Sequence, residues 1–282
     1  MFSLSEPCMR VKRHELITFL SESFLMALKH LSFTATVKIL GIILFVAGIF
    51  CNDGNPIEDI DTTVDADGNV YTTVKIGNQE WMVENLRTTK YNDGSDIPIV
   101  EDGDKWHNII LSENNNPAYC FYDNATDSDS IKKYGALYNW YAVNTGKLAP
   151  VGWHVPTEAD WDTLQNCLIA DGYNWDGTKT DNKIGKSLAS KIGWYASTDT
   201  GDVGNDETAN NSTGFTTYPG GHRGLNGFFC CKGDEAIWWS STEGGRSNSY
   251  GLDRYVNYGI PGFGYDLDAK EEGYSVRLVK DK

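Results

Sequence analysis

Two histidines, an adjacent cysteine pair and one acid-rich loop are the residues of this chain whose types suit chemistry. His154 stands in Trp153-His154-Val155-Pro156, and His222 in Gly220-Gly221-His222-Arg223-Gly224. An imidazole with an ordinary pKa of about 6.5 exchanges protons near neutrality, which makes either one an acid–base candidate. The word around His154 reads as a packed entry to a helix, so its expected role is structural. The glycines around His222 and Arg223 suit a loop presenting both side chains to a ligand, but a turn between strands needs the same glycines. No Gly-x-Ser-x-Gly word, Walker loop or triad order accompanies them, and no catalytic residue is assigned.

Cys120, Cys167, Cys230 and Cys231 follow residue 51, and four cysteines allow three pairings in an oxidising compartment. Cys167 falls between Leu164 and Leu168 and is expected as a buried thiol. Adjacent Cys230 and Cys231 would point to opposite faces of an extended strand, so at most one faces the core. The spacings contain no Cys-x-x-Cys and no histidine pair at i, i+4, which argues against a thiolate zinc site. Hard oxygen ligands are a better prospect: Asp199, Asp202 and Asp206 lie in one loop with Asn205 and Glu207, a donor set that suits calcium. Asp65-Ala66-Asp67-Gly68-Asn69 opens like an EF-hand loop but has Ile76 where the distal Glu belongs, and a hairpin turn explains it better.

Aromatic residues make up 12% of the chain. Most are expected in the core. The remainder suggests a ligand platform along the late strands and loops, drawn from Trp238, Trp239, Tyr250, Tyr255, Tyr258 and Tyr265, with alternation leaving only one of the two tryptophans exposed. The candidate ligand-binding residues are therefore Trp238, Trp239, His222, Arg223, Tyr255 and Tyr258.

The elements that must position these groups follow from periodicity. Val70 to Ile76 alternates at the period of a strand with one half-buried face, Gly77-Asn78 supplies a tight turn, and Gln79 to Glu84 resumes an extended segment. Tyr134 to Thr145 reads as a helix with Leu137, Trp140 and Tyr141 on one face and Gly146 as its stop. A second helix starts after Pro156-Thr157, with Glu158, Asp160 and Asp162 near its positive end and Trp161, Leu164 and Leu168 inward. Residues 183–192 suggest a shorter helix burying Ile184, Leu188 and Ile192. Later strands are expected at 237–242, 249–256 and 274–279. Segregated strands and helices specify an α+β domain with antiparallel sheet.

Composition breaks near residue 51. Five of the 24 basic and three of the 39 acidic residues precede residue 52, leaving 19 against 36 and a net charge of −17 in the remainder. That sign and size disfavour nucleic acid as a partner, and 40% apolar residues exclude a disordered chain. Ile39 to Phe50 is an uncharged apolar run following Lys29, His30 and Lys38. It is shorter than the roughly 20 residues that cross a bilayer and has the layout of an export signal. Residues 1–51 are thus expected to be a signal or lipoprotein-type segment whose true start is Met26, with Cys51 as the candidate lipid-bearing residue. Residues 52–64 read as a linker and 65–281 as one domain. The expected location is the cell surface or outer membrane, as a lipoprotein, or the exterior as a secreted protein.

The words Asp67-Gly68-Asn69-Val70-Tyr71, Ile76-Gly77-Asn78-Gln79-Glu80-Trp81-Met82, Tyr134-Gly135-Ala136-Leu137-Tyr138-Asn139-Trp140, Gly152-Trp153-His154-Val155-Pro156-Thr157, Trp238-Trp239-Ser240-Ser241-Thr242 and Tyr274-Ser275-Val276-Arg277-Leu278 occur in a fixed order. Together they resemble the Fibrobacter succinogenes major paralogous domain family over about residues 65–281. That family is similar, distantly, to formylglycine-generating enzymes and C-type lectin folds. The resemblance implies two main helices on short irregular antiparallel sheets. Family members often carry a cysteine pair where this chain has Ala149 and Leu278, a change that fits a disulfide replaced by apolar contact. Cys230 and Cys231 do not fall on the copper-binding cysteine motif of formylglycine-generating enzymes, so that activity is not carried over. The expected function is an exported, surface-attached, non-enzymatic domain that binds a glycan or surface-protein ligand through its late loops. The alternatives are a formylglycine-generating-type oxidase and a surface spacer.

Overall fold

The computed structural model describes residues 61–111, 116–245 and 248–282. The export segment, Met26, Cys51 and linker residues 52–60 lie outside the described residues. In chain order the elements are β1 (Thr62–Val64), β2 (Val70–Ile76), β3 (Gln79–Met82), α1 (Gly103–Leu111), β4 (Tyr119–Phe121), α2 (Ser128–Tyr134), β5 (Ala136–Tyr138) and α3 (Trp140–Asn144). They continue with β6 (Trp153–His154), α4 (Glu158–Ala170), α5 (Gly185–Leu188), β7 (His222–Arg223), β8 (Phe229–Cys230), β9 (Glu235–Gly244), β10 (Tyr250–Asn257), β11 (Gly264–Ala269) and β12 (Val279–Lys280). Few helices among several small antiparallel sheets make this an α+β fold.

A five-stranded sheet has the order β1-β2-β3-β12-β6, and β11-β10-β9 form a second sheet. The chain is ordered before the expected Asp65, because Thr62–Val64 pairs with β2. The intervening turn is held by the Asp65 carboxylate, which accepts the backbone N–H groups of Asp67 (3.0 Å) and Asn69 (2.9 Å) and the Tyr71 hydroxyl (2.6 Å). The EF-hand-like word is therefore a hairpin turn. The next hairpin is as expected, with Ile76 opposite Gln79 and Gly77 at φ 57°.

Burial along β2 differs from the expected single face. Tyr71 enters one apolar cluster and Ile76 another, while Val70 is exposed. The same division recurs at Trp81 and Met82, and again at Trp238 and Trp239. Strands β2, β3 and β9 run between two cores, so alternating residues are buried on both faces.

The helix expected over 134–145 is three elements. Gly135 (φ 77°) ends α2, and a Cβ there would stand 2.6 Å from the Asn85 Cβ. Ala136 then donates its N–H to Leu86 O (2.9 Å) as the chain enters β5. Asn139 restarts the helix by accepting the Ala142 N–H with its side chain (3.1 Å). Helical spacing at Leu137, Trp140 and Tyr141 thus coincided with a strand and a new cap.

Helix α4 matches expectation. Thr157 and Asp160 form a capping box, and Trp161, Leu164 and Leu168 are buried. The 183–192 helix is confined to α5, because Ala189 is extended and Ser190 donates its N–H to Thr217 O (2.7 Å). Ile184 and Leu188 are buried as expected, but Ile192 is 56% exposed. Of the expected last strand, 274–279, only Val279 joins a sheet, in β12 with Lys280; Tyr274 and Ser275 make isolated bridges to Tyr138 and Trp238. Ala149 and Leu278 are buried in one cluster, where an apolar substitute for a disulfide belongs.

Candidate functional site

The late sheet builds an acidic cleft by its pleat alone. On β10, Asp253, Tyr255 and Asn257 share one face. Direct pairing sets Asp266 of β11 opposite Asp253, and sets Ile237 and Glu235 of β9 opposite Tyr255 and Asn257. Asp268 is two residues further along β11 and so on the same face. His222 from β7, Glu272 and Tyr274 close the rim, and the cavity measures about 570 Å³. Gly264 permits the geometry: a Cβ there would stand 2.2 Å from the Tyr255 ring.

Five carboxyl groups, Glu235, Asp253, Asp266, Asp268 and Glu272, thus line a cleft whose one basic side chain is His222. His222 Nδ1 lies 2.8 Å from Glu235 Oε1, and the His222 ring meets Tyr274 edge-on at 5.6 Å. The Tyr274 hydroxyl donates to Asp268 Oδ2 (2.6 Å). Asp253 is 1% exposed, and neither of its oxygens has an N–H or hydroxyl donor; the polar group beside it is a second acid, Asp268. Burial, with the neighbouring charges of Asp268 and Asp266, holds its carboxyl well above the usual carboxylate range. One oxygen of Glu272 is likewise unpartnered, and burial pushes that carboxyl up to about 7 against the opposing charge of His222. Burial pulls the His222 imidazole down, but Glu235, Glu272 and Asp268 outweigh it and its affinity for a proton rises.

Next along the same strand, Arg254 points to the other face and is fully partnered. Its guanidinium pairs with Glu158 and with Asp162 Oδ1 (2.5 Å) of α4. Two adjacent buried charges have opposite circumstances, and only Asp253 is left for something outside the chain.

The residues singled out from the sequence divide. His222 and Tyr255 line the cleft. Trp238 and Trp239 are both 0% exposed and do not form a platform; each fills a different core. Burying such a ring removes on the order of 200 Å² from water, about 5 kcal/mol of transfer free energy, a stabilisation that an exposed platform forgoes. Arg223 is also buried. It donates to Gly227 O (2.9 Å) and Glu101 O (2.9 Å) and lies over the Trp106 ring at 4.6 Å. Tyr258 packs edge-on against Tyr195 at 5.9 Å.

Asp199, Asp202 and Asp206 do not converge. The Asp202 carboxylate accepts the Ser197 hydroxyl (2.6 Å), and Asp206 accepts that of Thr208 (2.5 Å). The cation of this loop is Lys186, whose ammonium donates to the backbone carbonyls of Asp202 (3.2 Å), Asn205 and Asp206 (3.2 Å).

Cys230 and Cys231 are bonded to each other, so they do not diverge as in an extended strand; Cys231 adopts φ 69°. Cys120 and Cys167 are free. Cys167 is half-buried and donates to Asp171 Oδ2 (3.5 Å), whereas burial pushes the Cys120 thiol up to about 11. Among the described residues, the one set of three metal-type ligand atoms within 4.8 Å of one another is that of His222, Cys230 and Cys231, and its two sulfurs are spent on their mutual bond. His154 lies between Asp281 (2.7 Å) and the capping-box residue Asp160 (3.1 Å), the structural role expected of it.

The sequence reading missed all five acids, Glu235, Asp253, Asp266, Asp268 and Glu272. The available signal was Asp266-Leu267-Asp268, two acids at strand period, next to a strand carrying Asp253 and Tyr255 at the same period.

No curated protein and no solved structure matches the chain. One family model does, over residues 74–280, and this covers β3, the α4 capping box, the whole late sheet and the cleft. The chain belongs to the Fibrobacter succinogenes major domain family.

Proposed function

We propose that the protein is an exported, surface-attached, non-enzymatic domain that binds a glycan or surface-protein ligand at the cleft on its late sheet. The observation that carries this reading is Asp253, a buried carboxyl with no donor inside the chain, lining a cavity together with Tyr255 and Tyr274. A buried unpaired acid costs several kcal/mol, and folds keep such groups where a ligand uses them. Several small antiparallel sheets joined by long irregular connections support a C-type-lectin-like arrangement, and the apolar run followed by Cys51 supports export with lipid attachment. An oxidase of the formylglycine-generating type would need a reactive thiol at Cys230 or Cys231, and their bond to each other leaves neither.

The test is a glycan array and a panel of purified surface proteins probed with the full-length chain and with Asp253→Asn. Binding that is lost in the variant supports the reading. Binding equal in both would move the ligand site away from Asp253, and none to either panel favours a spacer. Unchanged membrane association of Cys51→Ala would remove the lipid anchor.

A further inference from the structure

We propose that the group this cleft captures is an organic cation, an alkylammonium or guanidinium, with Asp253 as its buried counter-ion. The inference deepens the binding reading above and rests on it. Three observations on the cleft converge. The first is Asp253, whose carboxyl is 1% exposed, lines the cavity and has a second acid, Asp268, but no donor beside it. A neutral hydroxyl-bearing ligand offers it a weaker hydrogen bond than a charged donor, which contributes roughly twice as much.

The second observation concerns spacing. Among the described residues, no three carboxylate or imidazole groups of the cleft bring ligand atoms within 4.8 Å of one another. A calcium or magnesium ion needs six or more oxygens within about 2.6 Å of its centre. Carboxylates dispersed around some 570 Å³ suit instead a cation with several donors and a body of its own. The third is the wall. Tyr255 and Tyr274 present rings and Ile237 and Ile260 present apolar carbon, surfaces that accommodate an alkyl stem and the face of a cation.

The titration of the cleft supplies a readout. The groups facing Asp253 are Glu235 on β9, Asp266 and Asp268 on β11, His222 on β7, and Glu272 and Tyr274 on the closing segment. Burial favours the protonated acid at Asp253 and at Glu272. A cation must therefore displace protons on binding, and its affinity rises with pH, by up to about tenfold per pH unit for each proton released.

The experiment is calorimetry on the full-length chain with agmatine and cadaverine as free amines, and with acetyl-arginine and acetyl-lysine methylamides as side-chain mimics. The expected result is binding of at least one cation at pH 8, weakened about tenfold or more at pH 6, with protons released to the buffer. Asp253→Asn should weaken it at least tenfold. Asp266→Asn, a change at an exposed position, should weaken it a few-fold and guards against a folding defect in the first variant. Stronger binding of the methylamides than of the free amines identifies a protein side chain as the source, and the reverse a small amine.

Equal binding of the uncharged acetyl-norleucine and acetyl-citrulline methylamides overturns the inference, as does the absence of any cation binding at pH 8. Calcium binding lost in Asp253→Asn would also overturn it, in favour of a metal. If a neutral glycan binds in an Asp253-dependent way while the amines do not, the cleft remains a binding site and only the cationic assignment falls.

Discussion

The loop at 199–207 and the cleft on the late sheet are both rich in acids, yet only one of them is unfinished. In the loop, Lys186 sits on three backbone carbonyls, Ser197 serves Asp202, Thr208 serves Asp206 and the Trp194 N–H serves Glu207 (2.6 Å). In the cleft, both oxygens of Asp253 and one of Glu272 have no donor. Counting acids therefore says little about ligands; counting acids without donors says more. A satisfied cluster is part of the fold, and removing its internal cation should be costly. An unsatisfied cluster stores unfavourable energy in the empty protein, and removing one of its charges should help.

The sharpest way to break the comparison is Lys186→Met. The substitution keeps most of the buried stem and deletes the ammonium, leaving three carbonyls without their charged donor. We expect a loss of about 3 kcal/mol, roughly 6–12 °C in melting temperature for a domain of this size. A melt within about 2 °C of wild type would show that the loop does not depend on its own cation.

The opposite sign is expected at Asp253→Asn. At pH 8, replacing a buried unpaired carboxyl by an amide should raise stability by about 1 kcal/mol, or 2–4 °C, while abolishing ligand capture. A stabilised variant that no longer binds is the signature of a functional acid, and a destabilised one would place Asp253 among the structural charges.

The pH dependence has a definite direction. Glu272 has its folded-state pKa raised from an ordinary 4.5 to about 7, and Asp253 is raised as well. The folded state therefore holds protons that the unfolded chain has released. Stability from Glu272 is fully present below pH 4.5 and is lost as pH rises through about 7, and that from Asp253 is fully present below pH 3.8 and is lost as pH rises through about 8. His222, also raised, contributes in the same direction. The empty protein should melt a few degrees higher at pH 5.5 than at pH 8, and Asp253→Asn with Glu272→Gln should flatten the difference. A melting temperature that climbs from pH 5.5 to 8 would contradict the assignment of unpaired acids to the cleft.

What the sequence made legible follows the same logic of local against long-range control. The α4 capping box, the β2–β3 turn at Gly77 and the strands on either side of Trp238 and Tyr255 are set by neighbours within a few residues, and all three were readable. The 134–145 segment was not, because Gly135 is placed by the approach of Asn85, about 50 residues away. Trp238 and Trp239 misled for a related reason: alternation tells which face a side chain takes, but not that β9 has a core on each side. Asp253 was invisible as a site because being unpartnered is a property of what the other strands fail to bring.

The smallest effect is the most discriminating for the loop. Asp199 is exposed, and its backbone N–H, not its carboxylate, engages Ser197 (3.2 Å). Asp199→Asn removes a charge from the expected calcium set without touching the Lys186 cradle. Its effect on stability should lie within about 0.5 kcal/mol. If Lys186 is the cation this loop is built around, calcium and a chelator should give wild type and variant the same melting temperature. A calcium-dependent stabilisation of wild type that disappears in Asp199→Asn would mean that the loop opens away from Lys186 to admit the ion. The contrast between a finished and an unfinished acidic cluster would then be one of degree, with Lys186 a resident cation that a harder one can displace.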